Sequence, residues 1–221
     1  MRTAPKPETS YDLCPAGTHI ARLYKIIDLG THDGEYQGRP KVSRLIRIYW
    51  ELPNEIKEYE KDGQKVSAPF AISREFTFSM GEKANLRKIV QGMIGTILTD
   101  DEAYNFDVDK LVGEPCLITV VHETSKTGNK YALVSTTAPM MRGMEAPAQF
   151  NKNEILDVSE MTEDEIGKQP QWLMDKLRES HEYKRMTGTM ITPNTASDTS
   201  STPAYPEPGT NGVISPEDIP F

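Results

Sequence analysis

The order in which hydrophobic periods follow one another constrains this chain more than any other feature. In VSRLIRIYWELP, residues 42–53, Arg44, Ile46, Ile48, Trp50 and Leu52 share one register, and Leu45, Arg47, Tyr49 and Glu51 share the other. A period of two predicts a half-buried strand. HIARLYKIIDLG, 19–30, is β-rich and ends on glycine, and FAISREFTFSM, 70–80, alternates Ile72, Arg74, Phe76 and Phe78 against Ser73, Glu75, Thr77 and Ser79. The period then changes, because Leu86, Ile89, Val90 and Met93 of GEKANLRKIVQGMIG form one helical face. Thr99 is placed to cap a short helix in LTDDEAY. GEPCLITVVHE, 113–123, and YALVSTTAP, 131–139, return to β character as a hairpin turned by ETSKTGNK. The polar stretches THDGEYQGRPK and NEIKEYEKDGQK are expected to be loops between the first three strands.

Three strands, a helix and two strands predict a mainly β fold, a five-stranded OB-fold barrel whose helix between strands three and four plugs one end. A β-sandwich asks for about seven short strands and no central helix, so it fits less well. Beyond Met140 a linker leads to MTEDEIGKQPQWLMDKLRESHEYKR, where Thr162 and Glu165 match a capping box. Trp172, Leu173 and Leu177 predict a short amphipathic helix after Pro170, packed on the barrel or serving as a dimer element. From Thr187 onward Lys and Arg are absent and Thr, Ser, Pro, Gly and Asn dominate, a composition that predicts disorder. The expected organisation is therefore a disordered 1–14, a barrel over 15–140, a linker and helix over 141–186 and an acidic disordered tail over 187–221.

Charge follows the same division. Residues 1–140 hold 18 Lys and Arg against 19 Asp and Glu, whereas 141–221 hold 7 against 14, so nearly all of the net −8 lies in the C-terminal third. No run approaches the roughly 18 apolar residues of a membrane span, and MRTAPKPETS lacks the apolar core of a signal peptide. A cytoplasmic protein without a membrane partner is expected. Cys14 and Cys116 are expected to be free thiols in a reducing compartment.

Enzyme chemistry finds no support in the residues. GxxxxGK[ST], GxSxG, HExxH and CxxC are all missing, and His19, His32, His122 and His181 stand at spacings that match no metal pattern. The expectation is a non-catalytic protein without a cofactor or metal. Basic residues interleave instead with aromatics: Arg22 and Tyr24 on strand one, Arg39 and Lys41 before strand two, Arg44, Arg47 and Tyr49 on it, and Arg74 and Phe76 on strand three. Lys and Arg neutralise phosphates, and aromatic rings stack unpaired bases, so these residues predict binding of single-stranded DNA on the strand two and three face. Ile46, Ile48, Trp50 and Leu52 are expected to fill the barrel, which turns Arg47 and Tyr49 outward. An OB-fold adaptor that binds protein instead of nucleic acid is the competing reading.

The last residues, SPEDIPF, carry a resemblance. Asp218, Ile219, Pro220 and Phe221 resemble the tip of bacterial single-stranded-DNA-binding proteins, whose acidic tails finish with Asp-Asp-Asp-Ile-Pro-Phe or a near variant; Glu217 stands for a preceding acid and Pro216 departs from the pattern. PAGTHIARLYKIIDLGTHDGEYQG, IYWELP, ISREFTFSMGEKANLRKIV and QPQWLMDKLRESHEYK, spread over about residues 15–185, resemble bacteriophage proteins thought to coat single-stranded DNA during replication or recombination. The resemblance implies a phage-encoded protein of the host bacterial cytoplasm whose tip recruits host replication or repair proteins. Removing Phe221 is then expected to abolish pull-down of those proteins and to leave DNA binding intact.

Overall fold

A computed structural model describes residues 13–61, 64–125 and 127–188. The expected disordered segments at 1–12 and 189–221 lie outside the described residues. The fold is mainly β, a curled antiparallel half-barrel with a few helices. Its strands are β1 (Gly17–Tyr36), β2 (Arg39–Lys61), β3 (Gln64–Thr77), β4 (Pro115–Thr124) and β5 (Lys130–Ala138), ordered β3-β2-β1-β4-β5. β1 makes the curl by pairing with β4 through residues 17–22 and with β2 from residue 22 onward. Register shifts between Leu23 and Lys25 and between Asp28 and Gly30 bend it between the two partners.

The inner register is the expected one. Ile46, Ile48, Trp50 and Leu52 are buried together with Ile72 and Phe76 in the main core. Helix α1 (Asn85–Ile94) closes this core with Leu86, Ile89, Val90 and Met93. Gly92 lets α1 lie directly on β5: a Cβ there would stand 2.5 Å from the Thr137 carbonyl oxygen, and the Thr137 hydroxyl donates to Ile89 O at 2.7 Å. Gly95, with φ 68°, ends the helix in the left-handed conformation. Thr99 caps α2 (Asp100–Tyr104) as expected, in a capping box with Glu102. Cys14 and Cys116 are free and buried, and burial pushes their thiols up to about 11 and about 12.

Two expected loops are strands. THDGEYQGRPK forms the far end of the β1–β2 hairpin, paired from Thr31↔Arg44 to Tyr36↔Arg39 and turned by Gln37 and Gly38, whose φ values are 51° and 75°. Positive φ at both central residues is the turn that matches the twist of the flanking strands. Much of NEIKEYEKDGQK likewise continues β2 and β3, paired from Ile56↔Pro69 to Lys61↔Gln64 beyond an irregularity after Leu52. These arms extend past the core, so backbone pairing persists where no alternating apolar face is needed.

The region expected to be a linker is also built in. β6 (Glu154–Asp157) pairs parallel with β1, from Lys25↔Glu154 to Asp28↔Asp157. Four residues are too few to show a period. Ahead of it, the Glu51 side chain is fully buried and accepts hydrogen bonds from Phe150 N, Asn151 N and Asn151 Nδ2 at 2.8, 2.7 and 2.7 Å. Helices α3 (Glu163–Gly167), α4 (Gln171–Glu179) and α5 (His181–Met186) follow, with the Thr162–Glu165 capping box in place. Ile166, Leu173 and Leu177 pack with Ile27, Leu29, Val158 and Met161 into a second core on the outer face of the sheet. The helical segment thus docks on the sheet of its own chain.

α5 is tied to β1 at a tight approach. Gly30 has φ 78°, and a Cβ on it would stand 2.5 Å from Glu182 Oε2. Glu182 accepts from Thr31 N at 2.6 Å and Thr31 Oγ1 at 2.7 Å. Burial pushes its carboxyl up, but the two Thr31 hydrogen bonds and the Arg44 charge outweigh that and hold it below the usual glutamate range. A lowered folded value means that this contribution is complete above the unfolded value of about pH 4.3 and is lost as pH falls through the folded one. In thermal melts, Glu182→Gln should therefore melt below the wild type at neutral pH, with the gap closing under acid conditions; equal melting at neutral pH would refute this role.

Candidate nucleic-acid interface

The edges β3 and β5 face each other across the open side of the half-barrel. Arg74 shares the inner register of β3 with Ile72 and Phe76, and it reaches over the seam to Val134 O at 2.5 Å and Ser135 O at 3.5 Å. A groove of about 860 Å³ runs beside it, lined by Tyr36 and Lys41 of the β1–β2 arm, Arg74, Glu75 and Phe76 of β3, and Glu82 and Lys83 of the loop before α1. Lys41 Nζ lies 5.7 Å from the centre of the Tyr36 ring. A second hollow of about 210 Å³ shares Arg74 and Asn85 with the groove and adds Lys88, Ser135 and Thr137. Together they make a track over the seam that carries Lys41, Arg74, Lys83 and Lys88.

The expected site residues divide by what holds them. Lys41 and Arg74 come together in the groove, and Arg39 is exposed at the tip of the same arm. Arg22, Tyr24 and Arg44 are committed elsewhere. Arg22 is held by Pro147 O at 3.0 Å and Gly113 O at 2.8 Å. Tyr24 packs edge-on to Tyr49 at 6.3 Å, and burial, with Tyr49, Glu51 and Glu154 nearby, pushes its hydroxyl up to about 12. Arg44 pairs with Asp28 at 2.6 Å and Asp157 at 3.3 Å. It lies in an acidic hollow with Asp107, Asp109 and Glu160, where burial and then Asp107, Asp28 and Asp157 push the Asp109 carboxyl up. Such a surround repels phosphate, which counts against Arg44 as a DNA contact.

Phe76 is corrected by its burial. It is 4% exposed, and Arg74 lies over its ring at 5.1 Å, so no face is open for a base. It shares the register that fills the barrel. Arg47 and Tyr49 do turn outward, but the outer face is occupied there by the C-terminal helices. Tyr49 packs against the second core, and Arg47 bonds Ser73 at 3.1 Å and lies 4.4 Å from the centre of the Trp172 ring. Asp218, Ile219, Pro220 and Phe221 lie outside the described residues.

Sequence reasoning missed Tyr36, Lys83 and Lys88. Tyr36 sits in a polar stretch that reads as loop, Lys83 precedes α1, and Lys88 lies on α1 outside its apolar stripe. Among the described residues no three His, Cys, Asp or Glu side chains gather as metal ligands would, and no helix is long and apolar enough to cross a membrane. No protein-family model matches the chain, and no curated protein or solved structure is significantly similar to it.

Proposed function

We propose that this chain binds single-stranded DNA without sequence preference, as an OB-type protein of phage replication or recombination. The strand order β3-β2-β1-β4-β5, with a helix between β3 and β4, supports the OB-type reading. The observation that carries the function is the track over the seam, with four cations against the carboxylates of Glu75 and Glu82 and the exposed Tyr36 at one end. A single strand laid along it has its phosphates met by Lys41, Lys83 and Lys88, with Arg74 at the floor, while Tyr36 offers a π-face to a base. None of these groups reads a base edge, so binding is indifferent to sequence. The phage setting, the host cytoplasm and recruitment through Asp218, Ile219, Pro220 and Phe221 rest on the sequence resemblance.

Titrating the full chain with labelled oligo(dT) over a range of salt tests the proposal. About four phosphate contacts give a log-log salt slope of about −3. No retention of the oligonucleotide at low salt would refute DNA binding and favour the protein adaptor.

A further inference from the structure

The outer face of β2 and β3 holds an aromatic group that the fold does not bury. Trp172, in the first turn of α4, is 48% exposed, while Leu173 and Leu177 of the same helix are 1% and 0% exposed. The indole is nevertheless held in place. The Arg47 guanidinium lies 4.4 Å from the centre of its ring, and Arg47 is itself positioned by Ser73 Oγ at 3.1 Å and Glu75 at 3.4 Å. Lys176 of α4 bonds the other oxygen of Glu75 at 2.7 Å. Glu75 also lines the main groove, so Arg47 and Lys176 are each one ion pair away from a residue of that groove.

We propose that Trp172 is a base-stacking step on the path of the single strand, where a strand leaving the groove past Glu75 lays a base on the exposed part of the indole. The inference rests on the DNA-binding reading and extends it to a surface beyond the groove. Arg47 and Lys176 bring two cations to the one Glu75 carboxylate, and a phosphate backbone is met by such cations. A planar ring already in contact with a guanidinium loses little freedom when a base joins it, and every base has a π-face to offer.

The two tryptophans of the chain separate the outcomes. Trp50 is wholly buried, so quenching of intrinsic emission by oligo(dT) reports on Trp172. The full chain, Trp172→Ala and Trp172→Phe are each titrated, with anisotropy of labelled oligo(dT) as the measure of binding. The wild type should bind with quenched emission. Trp172→Ala should bind about tenfold more weakly, and Trp172→Phe within about threefold of wild type but without the quench. Trp172→Phe keeps the test valid if the alanine variant folds poorly. Binding without a quench, with Trp172→Ala at wild-type affinity, overturns the inference and leaves the DNA-binding reading standing. A lack of any anisotropy change overturns that reading as well. If sedimentation shows that Trp172→Ala splits an oligomer while the affinity per protomer is unaltered, the surface belongs to a second copy and the inference is overturned.

Discussion

Reversing Lys41 and Lys83 together to Glu should lower the affinity for oligo(dT) about a hundredfold at moderate salt. Both side chains line the main groove, one from the β1–β2 arm and one from the loop before α1. Neither residue belongs to a buried core, so the loss should come without a change in melting temperature. Each phosphate contact on a single strand contributes about 0.7 to the log-log salt slope, so removing two should bring the slope about 1.4 closer to zero. The slope separates lost contacts from a damaged fold, because a smaller folded fraction lowers apparent affinity equally at every salt concentration. Lys110 provides the spatial control. It lies in the 3-10 turn Val108–Leu111 beside the acidic hollow, and Lys110→Glu should leave the affinity within about threefold. Equal losses at both places would mean that net charge, rather than the groove, governs binding.

Glu51→Ala should destabilise the folded chain by about 3 kcal/mol in urea unfolding. Glu51 sits on β2 in the register opposite to Trp50, yet it is fully buried because residues 150 and 151 cross over it. Alanine would leave the Phe150 and Asn151 amides without their acceptor in a place that water reaches poorly. An unmet buried donor costs about 1–3 kcal/mol, and here two backbone donors and one side-chain donor are at stake. Glu51→Gln keeps one acceptor oxygen but points an NH2 at donors, so its stability should fall between alanine and wild type. The crossing segment leads directly into β6 and the helices of the second core, and its release should open residues 147–153 to limited proteolysis. Wild-type stability in Glu51→Ala would show that the hydrogen bonds are replaced without cost.

Local interactions were legible in the sequence. The stripe Leu86, Ile89, Val90 and Met93, the cap at Thr99 and the capping box of Thr162 and Glu165 each depend on residues within about two helical turns, and each is found where the sequence places it. The inner register of β2 was equally plain, since one face had to be apolar from Ile46 to Leu52. The arms were not. Their polar residues resemble loop because pairing there is held by backbone hydrogen bonds and a positive-φ turn at Gln37 and Gly38, which leave little mark on the choice of side chains. β6 was invisible for the opposite reason, being too short to carry a pattern of its own.

The candidate site was half legible. Lys41 and Arg74 could be named as cations near aromatics, but nothing local distinguishes them from Arg22, Arg44 or Arg47. Arg22 is claimed by carbonyls of residues 113 and 147, and Arg44 by Asp28 and Asp157. By itself, then, the sequence determined the order of the five long strands and α1, the face of β2 that fills the core and the capped helix starts, because those follow from periodicity and nearest neighbours along the chain. Only the tertiary structure decided which cations line the groove, that Phe76 is core, and that Trp172 stands half exposed beside Arg47. A side chain's availability depends on partners brought to it from distant parts of the chain, as Pro147 is to Arg22 and Asp157 to Arg44, and no local pattern encodes that approach.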